Sequence, residues 1–256
     1  MDASALADRL SAGETLISGW SAMPEPLVAE AIARAGFDCV TFDIQHGLHD
    51  AISVMRGITA VTAVGVPALV RIALGDNATA ARVLDMGAEA VIAPMINSAA
   101  EARALIAATK YPPVGERSWG PNRAMTLRGT APQAHLDIGN ASALVFAMVE
   151  TRRAVGALDE ILAVDGLDGV FVGPSDLSVT FSDGKKIAPL DAGLDNTIAA
   201  IAAKAIAAGR FAGAFAASPQ RARQFAGMGY RLIALGADSM YLDGGARAML
   251  AAARPV

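Results

Sequence analysis

A single cysteine among 256 residues leaves no internal partner for a disulfide, so covalent staples play no part in this fold. Cys39 sits in the apolar run Phe37-Asp38-Cys39-Val40-Thr41-Phe42, and such usage predicts a reducing, cytoplasmic setting. Long apolar runs are missing too. Ala143 to Val149 is typical of the longest, far short of the ~20 residues that a membrane span requires. No basic stretch followed by an apolar one opens the chain, so no secretory leader is expected. Charge of one sign is also scarce: the net charge is −4, without long runs. That balance excludes nucleic acid and an anionic membrane as expected partners and leaves a small soluble ligand. Nor does a glycine-rich phosphate loop follow the first apolar run, where Ser18-Gly19-Trp20-Ser21-Ala22-Met23 stands instead. This weakens the case for an open doubly wound sheet.

What is present is an alternation of short apolar runs with longer Ala-rich segments. Candidate strands are Thr15–Trp20, Cys39–Phe42, Ala68–Ile72, Ala90–Ala93, Leu144–Val149, Gly169–Val172, Phe211–Phe215 and Arg231–Leu235. Most lack polar alternation, as parallel strands buried on both faces do. Between them, the patterns at Glu25–Ala35, Asp50–Val64, Ala78–Met86, Ala99–Ala108, Ala154–Ala163, Asp195–Ala208 and Pro219–Met228 predict helices. Gly36, Gly87 and Gly229 supply the residue preferred just past a helix end. Eight strand–helix units over about 250 residues predict an α/β chain forming one (β/α)8 TIM barrel across residues 1–256. The longest irregular stretch, Lys110 to Gly129, reads as an active-site lid or an interface element.

Barrel enzymes work at the C-terminal ends of their strands. The polar residues that directly follow the apolar runs are therefore the candidates. Strand 2 leads into Asp43-Ile44-Gln45-His46-Gly47, strand 3 ends in Arg71, strand 5 in Glu150, and strand 6 in Gly173-Pro174-Ser175-Asp176. A bare buried carboxylate would protonate, so Glu150 is expected to be paired or metal-bound. Taken singly, Glu150 also suits a cap or a salt bridge to Arg152 or Arg153, and Asp176 suits a helix N-cap. Together they suit a hard cation such as Mg²⁺ or Mn²⁺, while cobalt, zinc or a metal-free carboxylate pair stay open. Asp43 is placed to orient His46 and raise its basicity, with His49 the weaker histidine. Arg71 suits a substrate carboxylate or an enolate oxygen, or else neutralises Glu150. Trp20 and Phe215 wall the pocket or belong to the core.

Phe42-Asp43-Ile44-Gln45-His46-Gly47, Val70-Arg71, Val149-Glu150-Thr151 and Gly173-Pro174-Ser175-Asp176-Leu177-Ser178 together resemble the class II 2-oxo acid aldolases of the HpcH/HpaI family. That family includes the 4-hydroxy-2-oxoheptanedioate and 2-keto-3-deoxy-sugar-acid aldolases. The resemblance spans nearly the whole chain. It implies a divalent metal cation (Mg²⁺, Mn²⁺ or Co²⁺) held at Glu150 and Asp176, Arg71 on the substrate oxygen, and Asp43 with His46 for proton transfer. It also implies a last helix exchanged between subunits of a homo-oligomer, a hexamer. The chain departs from the family at Gln45, where glutamate is usual, at Ser118-Trp119 in the lid, and at Met148.

The expected activity is enolisation of pyruvate or hydroxypyruvate followed by addition to an aldehyde, or cleavage of 4-hydroxy-2-oxo acids in reverse. Backbone N–H groups of Ser175 and Asp176 would take the substrate carboxylate. No lysine directly follows a strand, which disfavours an imine route: Lys110, Lys185, Lys186 and Lys204 fall in loops or helices. The rival expectation is a lyase acting on phosphoenolpyruvate or acyl-CoA. It needs more basic residues, which only Arg117, Arg123 and Arg128 could supply.

Overall fold

The computed structural model describes residues 5–254; residues 1–4 and 255–256 of the expected 1–256 domain lie outside them. Eight parallel strands pair in chain order and close on themselves, β8 returning to β1. They are β1 (Leu16–Ser21), β2 (Cys39–Asp43), β3 (Ala68–Arg71), β4 (Ala90–Ala93), β5 (Leu144–Met148), β6 (Gly169–Val172), β7 (Phe211–Ala216) and β8 (Leu232–Leu235). The barrel is the one the alternation predicts.

The helices are α1 (Ala5–Ser11), α2 (Pro26–Arg34), α3 (Ala51–Ala63), α4 (Asn77–Asp85), α5 (Ala99–Thr109), α6 (Asn122–Arg128), α7 (Pro132–Ser142), α8 (Arg152–Gly156), α9 (Leu158–Leu162), α10 (Pro174–Phe181), α11 (Ala192–Ala207), α12 (Pro219–Gly227) and α13 (Asp238–Ala253). Local chemistry starts several of them. Asp50 and Ser53 form a reciprocal capping box at α3, Ser98 caps α5, and Ser218 followed by proline opens α12.

Successive strand residues face alternately inward and outward. Leu16, Cys39, Leu69, Ile92, Phe146 and Leu232 belong to the packed column inside the barrel. Their neighbours Val40, Val70, Val91 and Val145 belong to the layer beneath the helices. Continued along the strands, the inward parity brings Trp20, Asp43, Arg71, Met148 and Phe215 to the C-terminal opening, with Glu150 one inward step beyond Met148. Below, α1 closes the other end: Leu6 and Leu10 are buried in the same column as Leu16 and Leu144. Cys39 is wholly buried there, and burial pushes its thiol up to about 12, so it is inert.

The long segment after Lys110 is not a lid. It follows a helix, α5, and leads into β5, which places it at the N-terminal end of the barrel, opposite the opening. There the Lys110 ammonium donates to the carbonyls of Asn140 and Ala143 and to Asp168, each at 2.7 Å, just before β5 and β6 begin. Arg117 pairs with Asp85 at 2.6 Å and covers the Tyr111 ring, and Trp119 packs on Tyr111 and His135. Trp119 therefore does not crowd this chain's own mouth. Part of the segment is helical, as α6 and α7.

The last helix is the least packed element. Asp238 is its one buried residue, while Leu242 and Met249 are 65% and 78% exposed. Beside its root lies an apolar groove of about 510 Å³ lined by Leu27, Val28, Ile32, Phe37 and Tyr241.

Candidate active site

The opening holds a cavity of about 280 Å³ lined by Trp20, Asp43, His46, Arg71, Met148 and Asp176, with Phe171, Ser175, Phe215 and the backbone of Gly173 around them. A larger recess of about 490 Å³ lies beside Val114 and Glu116, away from every C-terminal strand end. Seven of the residues singled out in the sequence thus meet in one place, and Glu150 lies against Gly173 at its edge.

Asp43 serves Arg71, not the His46 ring. Arg71 Nε donates to Asp43 Oδ1 at 2.9 Å and Nη2 to Oδ2 at 2.6 Å, a two-pronged pair between neighbouring strand ends. The same carboxylate accepts from the Trp20 indole N–H at 3.2 Å and from the backbone N–H groups of Gln45 and His46. Burial raises the Asp43 carboxyl, but Arg71 and these donors outweigh it and hold the group below its ordinary value. The Trp20 face lies 4.9 Å from the Arg71 guanidinium carbon. Arg71 is thus locked by Asp43 and Trp20, with Nη1 left for a ligand. It does not bond to Glu150.

Glu150 has neither a cap role nor an arginine partner; Arg152 is taken up by the carbonyls of Thr180 and Phe181. It is 2% exposed and its Oε1 accepts one protein hydrogen bond, from Met95 N–H at 2.8 Å. Burial, reinforced by the nearby Asp176 charge, raises its pKa to about 7 against the Met95 N–H and the Arg71 charge, which lower it. The approach to α10 is close: a Cβ on Gly173 would fall 2.4 Å from Glu150 Oε2. A side chain at 173 would therefore displace the Glu150 carboxylate. Asp176 is not a cap, since Gly173 holds the N-cap position of α10 without a side-chain bond. Its carboxylate is exposed and has no hydrogen-bond or ion-pair partner among the described residues.

His46 is exposed at the rim and its ring has no protein partner among the described residues. His49 is structural: it is buried between the Ser21 and Ser53 hydroxyls at 3.0 and 3.1 Å, and burial lowers its pKa. Trp20 meets Phe215 edge-on at 5.4 Å and Phe171 at 6.1 Å, giving the cavity an apolar wall. Asp238, absent from the sequence reading, accepts from the N–H groups of Ala22 and Met23 at 2.8 Å and so ties the loop after β1 to the start of α13. Also missed were Met95 and Asn97, at the end of β4. A signal existed: Pro94-Met95-Ile96-Asn97 directly follows an apolar run, but it carries no charge.

Among the described residues no cluster of three or more His, Cys, Asp or Glu side chains is arranged around a metal position. Glu150 and Asp176 still fit a divalent cation, for which substrate oxygens and water would have to supply the remaining ligands. One is a buried carboxylate in need of a positive partner; the other is an unpartnered carboxylate beside it.

A parallel barrel whose opening joins two such carboxylates to a locked guanidinium defines an enzyme of small oxyanionic substrates. The chain belongs to the HpcH/HpaI aldolase/citrate lyase family, whose pattern matches residues 17–243. It is 36% identical over 242 residues to the hydroxypyruvate/pyruvate aldolase of Rhizorhabdus wittichii, covering 94% of this chain and 95% of that protein. It is 34% identical over 249 residues to the 4-hydroxy-2-oxo-heptane-1,7-dioate aldolase of Salmonella typhimurium, covering 96% and 93% respectively. Among solved structures, an HpcH/HpaI aldolase from Desulfitobacterium hafniense superposes with a TM-score of 0.89 at 25% identity, over 98% of this chain and 97% of that one.

Proposed function

We propose that this chain is a metal-dependent class II aldolase. It enolises pyruvate or hydroxypyruvate and joins it to an aldehyde, or cleaves a 4-hydroxy-2-oxo acid in reverse. The observation that carries this reading is Glu150: a carboxylate buried beside a second one, with a single N–H donor and no cationic side chain bonded to it. Glu150 and Asp176 hold the cation, which when bound supplies Lewis acidity to the 2-oxo group.

The chain's own residues do the rest. The N–H groups of Ser175 and Asp176, in the first turn of α10, take the substrate carboxylate. Arg71 presents Nη1 to the oxygen on which enolate charge develops, held in place by Asp43 and Trp20. His46, at the rim, moves the proton at C3 and later at the new hydroxyl. Trp20, Phe171, Phe215 and Met148 exclude water from the donor. Among the described residues no lysine lines the cavity, and Lys110 is spent beneath the barrel, which disfavours an imine route. The arginines that a phosphoenolpyruvate or acyl-CoA lyase would need also stand outside this opening. Arg117 pairs with Asp85 and Arg123 donates to Thr59, on the far side of the fold.

The same reading makes α13 an exchanged element. A helix exposing Leu242, Met249 and Leu250 beside an apolar groove on α2 suits a homo-oligomer in which each copy lends its last helix to another.

The direct test is exchange of the pyruvate C3 protons in D₂O, followed by proton NMR, because it needs no aldehyde. Exchange should proceed with Mn²⁺ or Mg²⁺ and stop after thorough chelation; exchange that survives chelation overturns the reading. A pH dependence follows from Glu150, whose carboxyl rises from its ordinary 4.5 to about 7 on burial. The metal-free fold binds that proton more tightly than the unfolded chain does, so this group's contribution to stability is lost as pH rises from 4.5 to 7. Cation binding needs the carboxylate, so Mn²⁺ affinity should fall about tenfold for each pH unit below 7. Calorimetric titration between pH 5.5 and 8.5 reads this slope, and a flat profile would contradict it.

A further inference from the structure

The strand end that the sequence reading left empty, after β4, carries a backbone conformation that asks for an explanation. Met95 has φ 56, the left-handed region, although it is not glycine. Such a conformation is strained for a residue with a Cβ and persists only where its surroundings enforce it. Here it aims the Met95 N–H at Glu150 Oε1, 2.8 Å away.

Asn97 is what enforces it. Its Nδ2 donates to the Met95 carbonyl at 2.7 Å, and its Oδ1 accepts from the Thr151 hydroxyl. Thr151 is covalently next to Glu150 and is itself pinned as the N-cap of α8, accepting from Ala154 N–H at 2.9 Å. The four residues close a ring: Glu150 to Met95, Met95 to Asn97, Asn97 to Thr151, and Thr151 back to Glu150 through the chain. The Asn97 side chain is not needed to start α5. Ser98 caps that helix, and Glu101 reaches back to the Asn97 N–H at 2.5 Å. The amide side chain is therefore free to act on β4 and β5 alone.

From this ring we infer that Asn97 is a positioning residue for the cation pair: by holding Met95 left-handed it occupies Oε1 of Glu150 and leaves Oε2, beside Gly173, as the ligating oxygen. This rests on the assignment of Glu150 and Asp176 to a cation. Supports of this kind commonly change metal affinity without touching the metal.

The experiment is Mn²⁺ binding to metal-stripped, full-length protein, read by electron paramagnetic resonance, with thermal unfolding of the cation-free protein beside it. Asn97→Ala should weaken Mn²⁺ binding by roughly ten- to a hundredfold while the chain stays folded. Adding Met95→Gly should restore most of that affinity, because glycine adopts the left-handed conformation without help. A merely structural asparagine would show no such rescue. Glu150→Gln separates the two levels. If it leaves Mn²⁺ affinity unchanged, the cation assignment itself falls. If it abolishes binding while Asn97→Ala stays within twofold of the parent, or if Met95→Gly fails to rescue, the positioning role falls alone.

Discussion

Glu150→Gln is expected to abolish catalysis while leaving the barrel folded. Glutamine keeps the size of the side chain and an oxygen to accept the Met95 N–H, so the wall between β4 and β5 should survive. It removes the charge that a cation requires. Lewis-acid assistance is worth several kcal/mol, so pyruvate C3 exchange and aldol turnover should both fall by about 10³-fold or more. The cation-free variant should also melt higher than the parent at pH 8. There the parent must keep a carboxylate ionised in a site that is 2% exposed, and the amide carries no such cost. Exchange within tenfold of the parent would sink the cation reading outright.

Arg71→Lys is the second large effect, and it tests shape against charge. Lysine keeps the positive charge but reaches Asp43 with one ammonium where arginine uses two N–H groups at 2.9 and 2.6 Å and still presents a third nitrogen. The stack on Trp20 is lost as well. Removing one well-aimed donor to a developing oxyanion typically costs about 10²–10³ in kcat, and that is the expected fall. KM for pyruvate should change only a few-fold, since on the proposed reading α10 and the cation would carry most of the ground-state binding. A lysine variant with the parent's kcat would show that charge alone suffices. Arg71→Ala is the less informative change. It strands Asp43 as a buried, unpaired carboxylate, a loss of about 3–5 kcal/mol in stability that would blur any kinetic reading.

Much of this site is legible in the sequence because barrels place chemistry at strand ends, and charged residues after apolar runs stand out. Asp43, Arg71, Glu150 and Asp176 were visible for that reason. Four things were not. The inward parity of Trp20, Asp43 and Arg71 leaves no hydropathy trace, since both faces of these strands are buried and outward Val40 looks like inward Leu69. Partner choice is equally hidden: Asp43 is three residues from His46 in sequence, yet its carboxylate pairs with the Arg71 guanidinium, 28 residues away across a strand pair. Finally, length alone reads the Lys110–Gly129 stretch as a lid or an interface element. Its position follows from what precedes it: a segment that leaves a helix arrives beneath the barrel, whatever its composition. The contribution of Met95 is a backbone N–H, which no residue type announces.

The helix that seals the floor of the barrel bears on the order of events. With Leu6 and Leu10 packed beneath Leu16 and Leu144, and the column above them filled, the site is closed from below and opens at the C-terminal end of the strands. On the proposed reading, donor and acceptor would share that opening. The oxo acid, held by the cation pair, is then expected to enter before the aldehyde and to leave after it, an order that product-inhibition kinetics reads.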